Sequence, residues 1–165
     1  MKINKMNYQI VNYQEVENKL KQLNFGSNNT LFFIPENITE NIASSNYIYS
    51  ESTTDIKKSF KSENILVEYL TKDKPLLRTR KSADWFGPTL FITYSLLSEN
   101  STMIGISLNL ISSYLYDHFK GTVGTKKIKF EIIIENEKDG FKKINYDGSI
   151  EGIKELENVI KELTK

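Results

Sequence analysis

Apolar positions recur along the chain with two different periods, and these divide it into elements. Val16, Leu20 and Leu23 follow helical spacing, so residues 12–24 are predicted as a helix with Asn12 as cap, Glu15 three residues on and Gly26 beyond its end. Glu15–Lys19 and Glu17–Lys21 stand four apart and support it. Residues 30–34, Thr-Leu-Phe-Phe-Ile, are closed by Pro35 and read as a buried strand. Residues 36–52 are polar and rich in Asn and Ser. They are expected to form a mobile loop with a short strand at 46–49, and Ser52 is placed to cap a helix over 53–61. Ile65, Val67 and Tyr69 then alternate with Leu66, Glu68 and Leu70, a strand over 64–70. Residues 72–75 turn it toward an expected antiparallel partner at 76–81.

Residues 85–119 are the apolar centre. Pro88 suits a helix's first turn, where its missing N–H costs nothing, so a helix is expected over 88–99. A second helix is expected over 102–120, capped by Asn100 or Ser101, with Ile104, Leu108, Ile111, Leu115 and Phe119 on one face. Ile104, Ile106, Leu108 and Leu110 also alternate with polar or small residues, the period of a strand. The length of the run and its helical continuation through 114–119 favour helix. Ser, Asn and Glu99 interrupt the region, and no stretch of about 20 residues is mainly apolar, as a membrane span requires. A buried helical hairpin is expected, with weak membrane association as the second reading.

The last third has the clearest pattern. Ile128, Phe130, Ile132 and Ile134 alternate with Lys129, Glu131, Ile133 and Glu135, a strand over 127–135. Residues 137–140 form a hairpin turn in which Gly140 is free to take positive φ, and 141–146 return. Asp147-Gly148 is expected to break the strand. Ser149 caps a helix to Leu163 that buries Ile153, Leu156, Ile160 and Leu163. The fold class is α+β: one small domain over 1–165, a sheet with a C-terminal β-hairpin packed by helices 12–24, 88–99, 102–119 and 149–163.

Composition narrows the chemistry. The 165 residues carry 22 basic and 21 acidic side chains, a net charge of +1, which excludes a globally basic nucleic-acid coat and an acidic tail protein. Cysteine is absent, so disulfides and thiolate catalysis are excluded, and one histidine excludes the usual zinc sites. No cofactor is expected. Residues 1–7 hold no apolar run, so no signal peptide is expected and the cytoplasm is the expected compartment. Asn-x-Ser/Thr triplets at Asn28, Asn37 and Asn100 read as chance in an Asn-rich chain.

Among 22 cations only Arg78 and Arg80 are arginine, and they stand two residues apart. On a strand they share a face, and two guanidinium forks side by side suit a phosphate or carboxylate. The other reading is a solvated edge strand whose arginines pair with surface Glu or lie over aromatics. Lys81 extends the pair. Asp84-Trp85-Phe86-Gly87-Pro88 is expected to be a rigid bend, with Trp85 either anchored in the core or partly exposed as an interface anchor. Arg78, Arg80, Lys81 and Trp85 form the expected contact surface. Adjacent helical residues point about 100° apart, so Asp117 does not orient His118 as a triad would. Residues 120–126 lack the phosphate-loop pattern and read as a linker. Glu63, Glu68 and Asp84 flank the arginine strand, and a magnesium-dependent nuclease would require them to converge. No catalytic or metal residue is assigned.

An apolar helix ending in residues 114–119, a strand at 128–135, the Asp139-Gly140 turn, a return strand and a Ser149-started helix follow one another in order over 101–165. This order resembles that of the small effector-associated components encoded beside bacterial conflict and anti-phage effectors. The resemblance implies a non-enzymatic module of a bacterial defence or mobile-element system that couples to a larger effector protein, and it carries over no catalytic residues. The expected function is therefore a protein-interaction component. The second reading is contact with nucleic acid or nucleotide phosphate through Arg78, Arg80 and Lys81, as a binding protein or as part of a nuclease.

Overall fold

The computed structural model describes residues 8–23, 30–122, 127–136 and 140–164. In chain order its elements are β1 (Tyr8–Asn12), α1 (Gln14–Gln22), β2 (Leu31–Ile34), β3 (Ile48–Ser50), α2 (Thr53–Ser62), β4 (Val67–Tyr69), β5 (Leu76–Arg78), β6 (Trp85–Ile92), α3 (Tyr94–Glu99), α4 (Thr102–His118), β7 (Ile128–Asn136), β8 (Gly140–Gly148) and α5 (Leu156–Leu163). A mixed six-stranded sheet runs β1-β8-β7-β6-β2-β4, and β3 and β5 form a separate two-stranded sheet. The fold is α+β, as its patterning implied. The parallel pairs β6–β7 and β2–β4 are joined through α3–α4 and α2, because a parallel pair needs a long crossover.

Residues paired across neighbouring strands share a face. Ile132 pairs with Leu90 on one side and Ile144 on the other, and Ile128, Phe130 and Ile134 lie on the same face of β7; all are buried. Trp85 joins this face through its pairing with Ile128, and its ring centroid lies 6.2 Å from that of Tyr114 on α4. The helix α4 packs against both α2 and α5, so the three cover this side. On the opposite face, Ile133 is buried, Phe91 and Phe141 meet at 5.4 Å, and Lys143 Nζ stands 4.2 Å from the Tyr13 ring at the start of α1. Lys129, Glu131, Asn145 and Asp147 occupy the part of that face nearer β6's start.

The helix at 102–120 forms as α4. Ile104 and Leu108 are buried while Ile106 is 50% exposed, a separation that a strand would not produce. No helix among the described residues is long and apolar enough to cross a membrane. The C-terminal hairpin pairs Asn136 with Gly140, whose φ is +71°. Ser149 Oγ accepts from the Gly152 N–H at 3.3 Å, capping a 3-10 turn (Glu151–Glu155) that leads into α5. Asp147 and Gly148 do not break β8; they remain paired with Lys129 and Ile128.

Several expectations are corrected. The segment 88–99 is not one helix. Its first half completes β6, because Thr89-Leu-Phe-Ile92 is β-branched and aromatic and pairs with both β2 and β7. Thr93 then caps the short α3, its Oγ1 accepting from the Leu96 N–H at 3.2 Å. Gly87 and Pro88 do not bend the chain into a helix. They sit where the register shifts between Phe86 and Thr89, a place where proline breaks no ladder bond. A Cβ at Gly87 would collide with the Trp85 ring.

Residues 76–81 are not the antiparallel partner of β4. β5 pairs in parallel with β3, and Arg80 and Lys81 lie beyond it. The 72–75 segment lacks the Asn-Gly or Asp-Gly pair that closes a tight hairpin. Asn12 does not cap α1: it ends β1, and its Oδ1 accepts from Lys142 Nζ at 2.7 Å. Ser52 stands at the start of α2, but its Oγ accepts from no N–H of the helix and donates instead to the Phe86 carbonyl at 2.9 Å. Residues 36–52 hold a 3-10 turn (Ser44–Asn46) and β3. Asn37 pins them, its Nδ2 donating to the Asn46 carbonyl at 3.1 Å and its Oδ1 accepting from the Ile48 N–H at 3.0 Å. The expected features at residues 1–7, 24–28, 123–126 and 137–139 lie outside the described residues.

Candidate binding surface at the two arginines

Pro35 ends β2 and sets Glu36 beside the small sheet, where its N–H donates to the Ile48 carbonyl at 2.7 Å. The chain leaving β5 crosses directly over this point. Arg78 Nη1 lies 3.2 Å from Glu36 Oε2, and Arg80 Nη2 donates to the same oxygen at 3.0 Å. The Arg80 guanidinium also lies over the Phe86 ring, 4.6 Å from its centroid, and Lys129 Nζ approaches that ring at 5.5 Å. Lys129 in turn pairs with Asp84 at 3.3 Å. The strand reading is thus modified: only Arg78 belongs to β5, yet both side chains converge through one carboxylate. Exposed ion pairs of this kind contribute about 0–1 kcal/mol each, so they position the forks more than they stabilise the fold.

Arg78, Arg80 and Phe86 form a ridge between two clefts, lining both. The first, of about 280 Å³, is floored by Trp85 and Tyr114 and edged by Asp55, Asp84 and His118. The second, of about 430 Å³, lies over the open part of the sheet between Glu36, Thr89, Lys129, Glu131, Asn145 and Asp147. Trp85 is 6% exposed, so it anchors the core and offers the first cleft only its remaining edge. Lys81 is exposed and lines neither cleft.

In the first cleft, the Tyr114 hydroxyl donates to Asp55 Oδ2 at 3.4 Å. Burial, followed by the negative charge of Asp55, raises the Tyr114 pKa above that of ordinary tyrosine. His118 stacks on Tyr114 at 5.5 Å and meets Phe119 edge-on at 4.8 Å. Below it, Ser50 Oγ lies 3.0 Å from Ser52 Oγ and 3.1 Å from Thr53 Oγ1 in a buried hydroxyl cluster. Through its bond to the Phe86 carbonyl, Ser52 ties α2 to the irregular start of β6.

Glu63 and Glu68 line neither cleft, and Asp84 is tied to Lys129, so the three do not converge there. Among the described residues no three His, Asp or Glu side chains are placed to hold a metal ion. Sequence reasoning missed Glu36, Asp55, Phe86, Tyr114 and Lys129 as site residues. They come from separate elements and share no local motif, so only the fold brings them together. No family model, curated protein or solved structure matches the chain.

Proposed function

We propose that the chain is a non-enzymatic protein-interaction component whose contact surface is the Arg78–Arg80 ridge with its two clefts. The observation that carries this reading is the convergence of the chain's only two arginines on one carboxylate at an exposed ridge over Phe86. Arginine and aromatic anchors of this kind concentrate binding energy at protein interfaces. The surrounding charge favours a protein over nucleic acid. Glu36, Glu51, Asp55, Asp84, Glu131 and Asp147 line the clefts against Arg78, Arg80 and Lys129, twice as many carboxylates as fixed cations. A phosphate backbone needs the opposite balance. The order of elements over 101–165 supplies the partner class, a larger effector protein of a bacterial defence or mobile-element system.

The test is binding in two arms. A stoichiometric complex that survives nuclease treatment supports the proposal. Binding of labelled DNA or RNA that weakens steeply with salt, with no such complex, replaces it by the nucleic-acid reading.

A further inference from the structure

Glu36 Oε2 is an oxygen shared by two guanidiniums: Arg80 Nη2 donates to it at 3.0 Å, and Arg78 Nη1 lies 3.2 Å away in an ion pair. Among the described residues no other carboxylate pairs with either arginine. Two guanidiniums therefore share one carboxylate partner, so the arginine pair itself is not matched one to one, within clefts whose wider lining is acidic. Each guanidinium carries further N–H donors in its planar fork. Glu36 lines only the second cleft, whereas both arginines also line the first, where Asp84 is already engaged by Lys129. The protein thus supplies an anion to its own arginines: a side-chain carboxylate held by both forks, 3.0 and 3.2 Å away.

The geometry points to the Arg78–Arg80 pair as the seat of one carboxylate group of a protein partner, an Asp or Glu side chain, with Glu36 as the internal anion that competes with it. This rests on the reading of the ridge as a protein-contact surface. A carboxylate fits better than a phosphate for two reasons. It is what the forks already grip. The acidic lining of both clefts also opposes a dianion more strongly than a monoanion. Glu36→Gln keeps the side-chain length and an acceptor oxygen for both forks while removing the competing charge.

The chain contains two arginines, so a ¹⁵N spectrum of the arginine Nε–Hε groups carries two signals, assigned by Arg78→Lys and Arg80→Lys. Acetate is titrated against chloride at constant ionic strength, with inorganic phosphate as a parallel arm. Both signals are expected to move along one saturating acetate curve, and in Glu36→Gln the curve should shift to about tenfold lower acetate, the loss of one charged hydrogen-bond competitor. Signals that respond no differently to acetate than to chloride would overturn the site, and the wild-type titration decides this without any variant. An unshifted curve in folded Glu36→Gln would overturn the competition. Phosphate binding more than about tenfold tighter than acetate would overturn the choice of carboxylate. Saturable acetate binding without an arginine-dependent complex would keep the anion site and remove the protein-partner reading; the reverse pattern would do the opposite.

Discussion

The two faces of β7 behave as parts of different molecules. One face sets Ile128, Phe130, Ile132 and Ile134 beneath the helices and is closed to water. The other, one residue out of phase, buries Ile133 but leaves Lys129 and Glu131 in a cleft, bonded to Asp84 and Thr89. A single strand thus carries a buried core face on one side and lines the proposed contact surface on the other. The difference predicts that stability and the proposed recognition respond to different substitutions.

The largest effect belongs to the covered face. Ile132 is 1% exposed, and Ile132→Ala is expected to lower unfolding free energy by about 2–5 kcal/mol. Denaturant titration checks this; an unchanged midpoint would mean that the face contributes little. The next effect sits where the faces meet. Ser52→Ala strips the Phe86 carbonyl of its hydroxyl donor and should cost about 1–3 kcal/mol by the same measurement.

A smaller, pH-dependent effect comes from Tyr146, whose hydroxyl donates to the Ser149 carbonyl at 2.6 Å. Burial pushes its pKa from 10.0 up to about 12. A group raised in the folded state contributes stability that is fully present below pH 10 and is lost as pH rises toward 12. Thermal melts across that range should fall more steeply for the wild type than for Tyr146→Phe, and parallel slopes would contradict this origin.

The covered face was legible in the sequence because burial imposes a period. Ile128 to Ile134, the helix through Ile104, Leu108, Ile111 and Leu115, and the stripe of Ile153, Leu156 and Ile160 each follow one. The region 76–92 was not legible, because its pairing is long-range. β5 finds β3 across an intervening helix and strand, and β6 is a strand on account of β2 and β7, not of its own Pro88. Of the candidate surface, the unusual arginine pair and Trp85 stood out by composition and closeness. Glu36, which holds both forks, lies more than forty residues upstream in a polar segment with no signal beyond its charge.

The smallest expected effect on stability is the most telling for function. The Arg78 and Arg80 side chains are exposed and, among the described residues, tied only to Glu36 and the Phe86 ring, so Arg78→Ala with Arg80→Ala should alter unfolding free energy by no more than about 0.5–1 kcal/mol. The decisive measurement therefore reads the melting temperature and nuclease-resistant complex formation of this double variant on one preparation. A near-native melt with the complex lost is the expected result. A double variant that unfolds, or one that melts normally and still forms the complex in full, would contradict a recognition surface separable from the core.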